Sequence, residues 1–248
     1  MNLIGITGAA GSGKDTVAEM LRQQDSKLVT LGLADPIKEF ARDVFEFSQE
    51  QLWGPSAARN APDVRFTKPH WYWPFGNSHK ERLKVVENFN TYSYDWRNKV
   101  LPNATYNEEY TKSALQLWLQ GILEQKEISP RLVLQTLGTE YGRRIFTDIW
   151  VTYGVKRAEG YLANGWNTVV ITDIRFLNEA CVINKAKGQL WRIYRPDVSA
   201  LPGKGSQHSS EVEQNSVEFT KLVTHTIDNN GTLRDLQQIV ESFYLLRT

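Results

Sequence analysis

Gly8-Ala9-Ala10-Gly11-Ser12-Gly13-Lys14-Asp15-Thr16 lies between a short apolar, β-branched run, Leu3 to Thr7, and a segment from Lys14 to Arg22 with Val17, Met20 and Leu21 at helical spacing. Strand, glycine-rich turn and helix in this order make a cradle for polyphosphate. Glycines let successive backbone N–H groups converge, the helix N-terminus adds positive potential, and a lysine at position 14 reaches the β- and γ-oxygens. Gly11, Ser12, Gly13, Lys14, Asp15 and Thr16 are therefore the expected triphosphate contacts. One position departs from the usual pattern, because Asp15 stands where a Ser or Thr hydroxyl ordinarily ligates magnesium, with Thr16 next. The metal contact is assigned to these two residues. The alternative, an ordinary glycine-rich turn, does not account for the flanking strand and helix.

Working outward, Leu28 to Leu33 reads as a second strand, and Asp35-Pro36 opens a helix with Ile37, Phe40, Ala41 and Val44 on one face. From residue 48 to 128 the pattern degrades into aromatic, Pro- and Asn-rich sequence with a possible helix over Glu108 to Glu124, and this is read as an insertion in a single domain spanning 1–248. Helical patterns return over Pro130 to Phe146 and Asp148 to Asn164. Thr168 to Thr172 is a continuous apolar run of the kind buried on both faces of a sheet. A helix over Phe176 to Lys187, strands over Leu190 to Tyr194 and Leu222 to Ile227, and a final helix capped by Thr232 with Asp235 complete the chain. Strands alternating with helices predict an α/β fold, a parallel sheet covered by helices on both faces, with ligands at the carboxyl ends of its strands.

Composition narrows the function. The chain has 248 residues, 41% hydrophobic and 23% charged, enough for one full α/β core. A net charge of +1 gives no field that would hold nucleic acid or an acidic membrane by bulk electrostatics, so a small anion held by a few placed cations fits better. One cysteine, Cys181, supports neither a disulfide framework nor a zinc site, and no stretch approaches the length of a membrane span. The reading is of a soluble, unprocessed, cytoplasmic protein.

Thr172-Asp173-Ile174-Arg175 ends the best buried-strand candidate, which puts Asp173 and Arg175 at the sheet's carboxyl edge, where an acidic residue near magnesium is expected. Glu179, one helical turn on, is placed to orient Arg175; the alternative is a helix cap and a solvated pair. Arg131, Gln135, Gly138 and Thr139 recur at helical spacing, presenting a cation, an amide and a gap where a ligand approaches closely. Surface decoration and tight packing are the competing explanation. Arg143, Arg144 and Lys38 are weaker candidates, and Trp150 either flanks a ligand or packs in the core. Trp53, Trp71, Trp73, Trp96 and Trp118 are interleaved with Arg59, Arg65, Lys68, Lys80 and Arg82. Such a mixture stacks bases in some proteins, but here building the insertion's own core is favoured.

Gly13-Lys-Asp-Thr16, Ala34-Asp-Pro-Ile-Lys38, Gln135-Thr-Leu-Gly-Thr139, Asp173-Ile-Arg175 with Glu179, Arg195-Pro196 and His208-Ser-Ser-Glu211 together resemble the deoxynucleoside-monophosphate kinases of large tailed phages. The resemblance covers most of the chain outside 48–128. It implies the nucleoside-monophosphate-kinase fold with a five-stranded parallel sheet, and ATP with Mg2+ on Gly11, Gly13, Lys14, Asp15 and Thr16. It further implies Arg131, Gly138, Thr139, Trp150, Asp173, Arg175 and Glu179 as acceptor and transfer residues, a homodimer, and host cytoplasm as the location. Lys14, Arg131, Asp173 and Arg175 would be catalytic, and a mobile segment with Lys204 and His208 would close over the ligands. The rivals are another P-loop kinase, of the dephospho-CoA or phosphomevalonate type, and a nucleic-acid-binding ATPase.

Overall fold

The computed structural model describes residues 2–67, 77–101, 107–196 and 213–245. Lys68, Trp71, Trp73 and the segment with Lys204, His208 and Glu211 lie outside the described residues. The elements are β1 (Leu3–Thr7), α1 (Lys14–Gln24), β2 (Leu28–Leu31), α2 (Asp35–Phe45), α3 (Gln49–Trp53), α4 (Ser56–Asn60), α5 (Asn77–Val100), α6 (Glu108–Glu124) and α7 (Pro130–Thr136). They continue with α8 (Ile149–Ala163), β3 (Thr168–Ile171), α9 (Leu177–Lys185), β4 (Gln189–Tyr194), α10 (Val217–Leu222), β5 (His225–Asp228) and α11 (Leu233–Leu245). The chain divides into two compact units, Met1–Leu33 with Val151–Thr248, and Ala34–Trp150. The stretch read as an insertion, 48–128, falls inside the second, which also takes in α2 and α7.

In the first unit the described strands form one five-stranded sheet, all parallel, in the order β2-β3-β1-β4-β5. Every residue of β1 and β3 is buried, as their unbroken apolar runs require. Ile4, Ile6, Val170, Trp191, Ile193 and Ile227 from the strands pack with Val17 and Leu21 of α1 and Leu236 and Val240 of α11. Because Gly5 pairs with Ile171, the loop after β1 and the residues after β3 leave the sheet side by side at its carboxyl edge. Two strands differ from expectation by more than one residue. β2 ends at Leu31, two residues early, and β5 begins at His225 because Val217–Leu222 forms a helix instead, capped by Ser216, whose Oγ accepts from Phe219 N at 3.2 Å.

The second unit is helical where described. Phe40 and Phe45 of α2 pack against Phe66, Trp96 and Trp118, with ring centroids 4.4 to 6.2 Å apart. Trp96 and Trp118 thus build the core. α5, which the sequence pattern did not announce, buries Val85, Phe89, Trp96 and Val100 together with two arginines. Arg82, 4% exposed, donates to Leu123 O at 2.6 Å, to Gln125 O at 3.1 Å and to Phe66 O, so one guanidinium satisfies the carbonyl end of α6. Arg97, 3% exposed, donates to the Glu108 carboxylate at 3.1 Å. Among the described residues no helix is long and apolar enough to cross a membrane.

Candidate active site

The loop after β1 needs glycine for geometric reasons. Gly8 (φ 148°) has no room for a Cβ against Ile193 O, and at Gly13 (φ 100°) a Cβ would stand 2.5 Å from the Asn229 amide nitrogen. The turn is held by Ser12 N on Ala9 O at 3.1 Å, while Asn229 Nδ2 donates to Ser12 O at 2.8 Å. Ser12 is fully buried, and its hydroxyl has no hydrogen-bond partner among the described residues. Lys14 Nζ donates to Gly8 O and Ala9 O, both at 2.8 Å, so its ammonium is folded over the loop.

Gly11, Gly13, Lys14, Asp15 and Thr16 line one side of a cavity of about 460 Å³, and Arg195, Asn229 and Gly231 line the other. Sequence reasoning assigned no role to Asn229 or Gly231, and it noted Arg195 only as part of a pattern. Asn229-Asn230-Gly231 carries a turn signature after β5, but nothing in its spacing ties it to the loop.

Asp173 and Glu179 fix the exit of β3. Asp173 Oδ1 accepts from Leu33 N at 2.8 Å, tying that exit to the residues after β2. Glu179 is buried, and its carboxylate accepts from the backbone N–H groups of Arg175 at 2.8 Å and Phe176 at 3.1 Å. It therefore caps α9 and fixes the main chain at Arg175, whose side chain is exposed.

The remaining candidates lie in the helical unit. Ser129 Oγ accepts from Leu132 N at 3.2 Å and Pro130 occupies the first turn, which starts α7 and leaves Arg131 exposed. The expected single helix over Pro130 to Phe146 is interrupted by a π turn, Leu137–Arg143. Such turns frequently mark functional sites. Trp150, 4% exposed, donates from Nε1 to Gly138 O at 2.9 Å and lays its ring where a Cβ on Gly142 would be. The indole thus holds the π turn closed. At Gly138 a Cβ would stand 3.2 Å from Ile37, and the Thr139 hydroxyl donates to Gln135 O. Lys38 sits 5.4 Å from the Trp53 ring centroid, in cation–π range. Gly138 and Trp150 are therefore brought together, Arg131 lies about two turns away along the same segment, and Lys38 is paired with Trp53.

Gly142→Ala is expected to push the indole off Gly138 O and to destabilise the protein by about 2 to 4 kcal/mol, read from chemical denaturation. A change below about 0.5 kcal/mol would show that the π turn is not held by this contact.

A family model described as deoxynucleotide monophosphate kinase matches residues 2–240. The deoxynucleotide monophosphate kinase assigned in Acanthamoeba polyphaga mimivirus is 26% identical over 235 residues, covering 95% of this chain and 92% of its own. The deoxynucleoside-5'-monophosphate kinase of Escherichia phage T5 is 29% identical over 197 residues, covering 71% of this chain and 69% of its own. Among solved structures, a dephospho-CoA kinase from Campylobacter jejuni superposes with a TM-score of 0.41 at 13% identity, covering 98% of this chain and 96% of its own. With the family model spanning nearly the whole chain, phosphate-binding loop included, this protein belongs to the deoxynucleotide monophosphate kinase family and is a phosphotransferase.

Proposed function

We propose that the chain transfers the γ-phosphoryl group of ATP to a deoxynucleoside 5′-monophosphate. A phosphate oxygen of the acceptor forms a bond to Pγ, the bond from Pγ to the β–γ bridging oxygen breaks, and ADP leaves with the electron pair. The observation that carries this reading is the ammonium of Lys14 held over a turn whose glycines line a cavity of about 460 Å³. The attacking oxygen is already anionic, so no strong general base is needed; the task is to hold two polyanions and neutralise the transferring group. In this proposal Lys14 binds the β- and γ-oxygens, Arg131 the acceptor phosphate, and Arg175 the transferring group. Asp173 and Glu179 keep Arg175 in place through the hydrogen bonds at the exit of β3. Gly138, Thr139, Trp150 and Lys38 shape the acceptor side.

Magnesium belongs to the same proposal. The Asp15 and Thr16 side chains border the cavity beside Lys14, and the described residues contain no cluster of three or more His, Cys, Asp or Glu that would cage a metal. That donor set fits Mg2+, which keeps its waters and takes one or two protein oxygens plus the substrate's phosphates. Mg2+ would neutralise charge on the triphosphate; Thr16 and Asp15 would hold it.

The net charge of +1 supports a small anionic ligand and no stable nucleic-acid complex. A homodimer in the host cytoplasm completes the proposal, the first part testable by sedimentation. The deciding assay is ADP release with each common deoxy- and ribonucleoside monophosphate, dephospho-CoA and phosphomevalonate. Turnover confined to either of the last two overturns the reading. Arg131→Ala is expected to raise KM for the monophosphate by about tenfold or more with a smaller change for ATP, the loss of a charge-assisted contact. Equal effects on both substrates would reassign Arg131.

A further inference from the structure

Asn229, the first residue after β5, is held twice. Its backbone N–H donates to Tyr194 O, at the end of β4, at 2.7 Å, and its side-chain Nδ2 donates to Ser12 O at 2.8 Å. β1 and β5 are not neighbours in the sheet, since β4 lies between them, so this side chain joins two loops that the strand ladder leaves independent. Asn229 also lines the cavity bordered by Gly11, Gly13, Lys14, Asp15 and Thr16. The transfer proposed above gives it no task.

The carbonyl that the amide takes decides where an N–H points. Ser12 O and Gly13 N–H belong to one peptide unit, and in a trans peptide the two point in opposite directions. A donor that fixes the carbonyl therefore fixes the N–H as well, aimed opposite to the amide. Among the described residues that N–H makes no backbone hydrogen bond, and Gly13 lines the cavity, so the group is left for a ligand. The preceding peptide is secured separately, through Ser12 N on Ala9 O at 3.1 Å, whereas the buried Ser12 hydroxyl has no partner among the described residues and adds no hold. A glycine has a broad choice of backbone conformation, which leaves the Ser12–Gly13 unit dependent on an outside contact for its orientation. Asn229 supplies it by bond and by fit, its Nδ2 standing 2.5 Å from where a Cβ on Gly13 would be.

We propose that Asn229 is a positioning residue for phosphoryl transfer, its amide orienting the Ser12–Gly13 peptide so that Gly13 N–H faces the triphosphate. The inference rests on the reading of this cavity as the ATP site. Hydrogen bonds weaken steeply off axis, so the N–H groups of such a turn act on a bound phosphate by direction as well as by number. A donor set in advance needs no reorganisation when charge develops on the transferring group. The competing role, a tether that only stabilises the exit of β5, predicts a lower melting temperature with unchanged handling of ATP.

The test compares wild type, Asn229→Ala and Lys14→Ala as full-length proteins. Alanine keeps the backbone bond to Tyr194 O and removes only the amide. In Asn229→Ala, KM for ATP is expected to rise about tenfold, the loss of one aligned donor to a charged group, with KM for the monophosphate within about twofold of wild type. Calorimetry with ATP and Mg2+, with no acceptor present, is expected to show the same loss of affinity. Ser12-Gly13 is the chain's one Ser-Gly pair, so an isotope-labelled serine carbonyl carbon and glycine nitrogen together report that peptide alone by NMR. Its amide signal is expected to be single in wild type and to move when ATP is added, and to be displaced or broadened in Asn229→Ala before any nucleotide is present. Asn229→Asp, close in shape but without the donor, gives the same reading of the nucleotide-free signal should the alanine variant fail to fold. If Asn229→Ala keeps its ATP affinity while Lys14→Ala loses it, the positioning role is overturned and the ATP site stands. An unchanged amide signal beside a raised KM for ATP also overturns it, by putting the amide on the nucleotide itself, and equal rises in KM for both substrates do so by spreading the effect over the whole site. Undiminished ATP affinity in Lys14→Ala overturns the reading of the cavity, and this inference with it.

Discussion

Lys14→Ala is expected to lower kcat by about a thousandfold or more while the protein stays folded. Both halves follow from the geometry. The ammonium lies against the loop's own carbonyls, and charge stabilisation of a transferring phosphoryl group is worth several kcal/mol where fixed donors surround it. Its loss leaves the Gly8 and Ala9 carbonyls without that donor, at a cost of about 1 kcal/mol. The turn retains Ser12 N on Ala9 O and the Asn229 amide on Ser12 O. ADP release at saturating substrates, beside a circular-dichroism melt, checks both. Near-normal turnover removes the loop from the mechanism, and a collapsed melt would mean that the lysine is chiefly structural.

The largest effect on stability is expected from Arg82→Met, about 3 to 5 kcal/mol by chemical denaturation. Methionine keeps much of the side chain's length and apolar stem but offers no donor. Leu123 O, Gln125 O and Phe66 O then lose their shared partner in a site where the arginine is 4% exposed. Burial lowers the pKa of this guanidinium, yet an arginine starts so high that it remains charged at any physiological pH. A loss below about 1 kcal/mol would show that water replaces the guanidinium.

The contrast between the two units explains what the sequence disclosed. In the sheet unit, local chemistry and tertiary role coincide: the β1 and β3 runs are apolar because they are buried on both faces, and the glycines of the loop are there because neighbouring backbone and Asn229 leave no space for a Cβ. The loop and the exit of β3 were legible for that reason. In α5 the pattern failed because Arg82 and Arg97 occupy buried positions on the stripe that holds Val85, Phe89, Trp96 and Val100, which breaks the apolar periodicity. The π turn was hidden because one residue's change of register leaves the spacing from Pro130 to Phe146 looking helical. Leu222 and Val223 read as strand, but a capping serine decided otherwise. Asn229 was recognisable as a turn residue, not as the partner of Ser12, since nothing local encodes a contact between the loops after β1 and β5.

That last contact joins residues 217 positions apart in the chain. On a ribosome the phosphate loop emerges long before the amide that secures it. Growing chains that stop short of β5 lack the Asn229 tie, so the cradle acquires its last fastening only when the far edge of the sheet has been made.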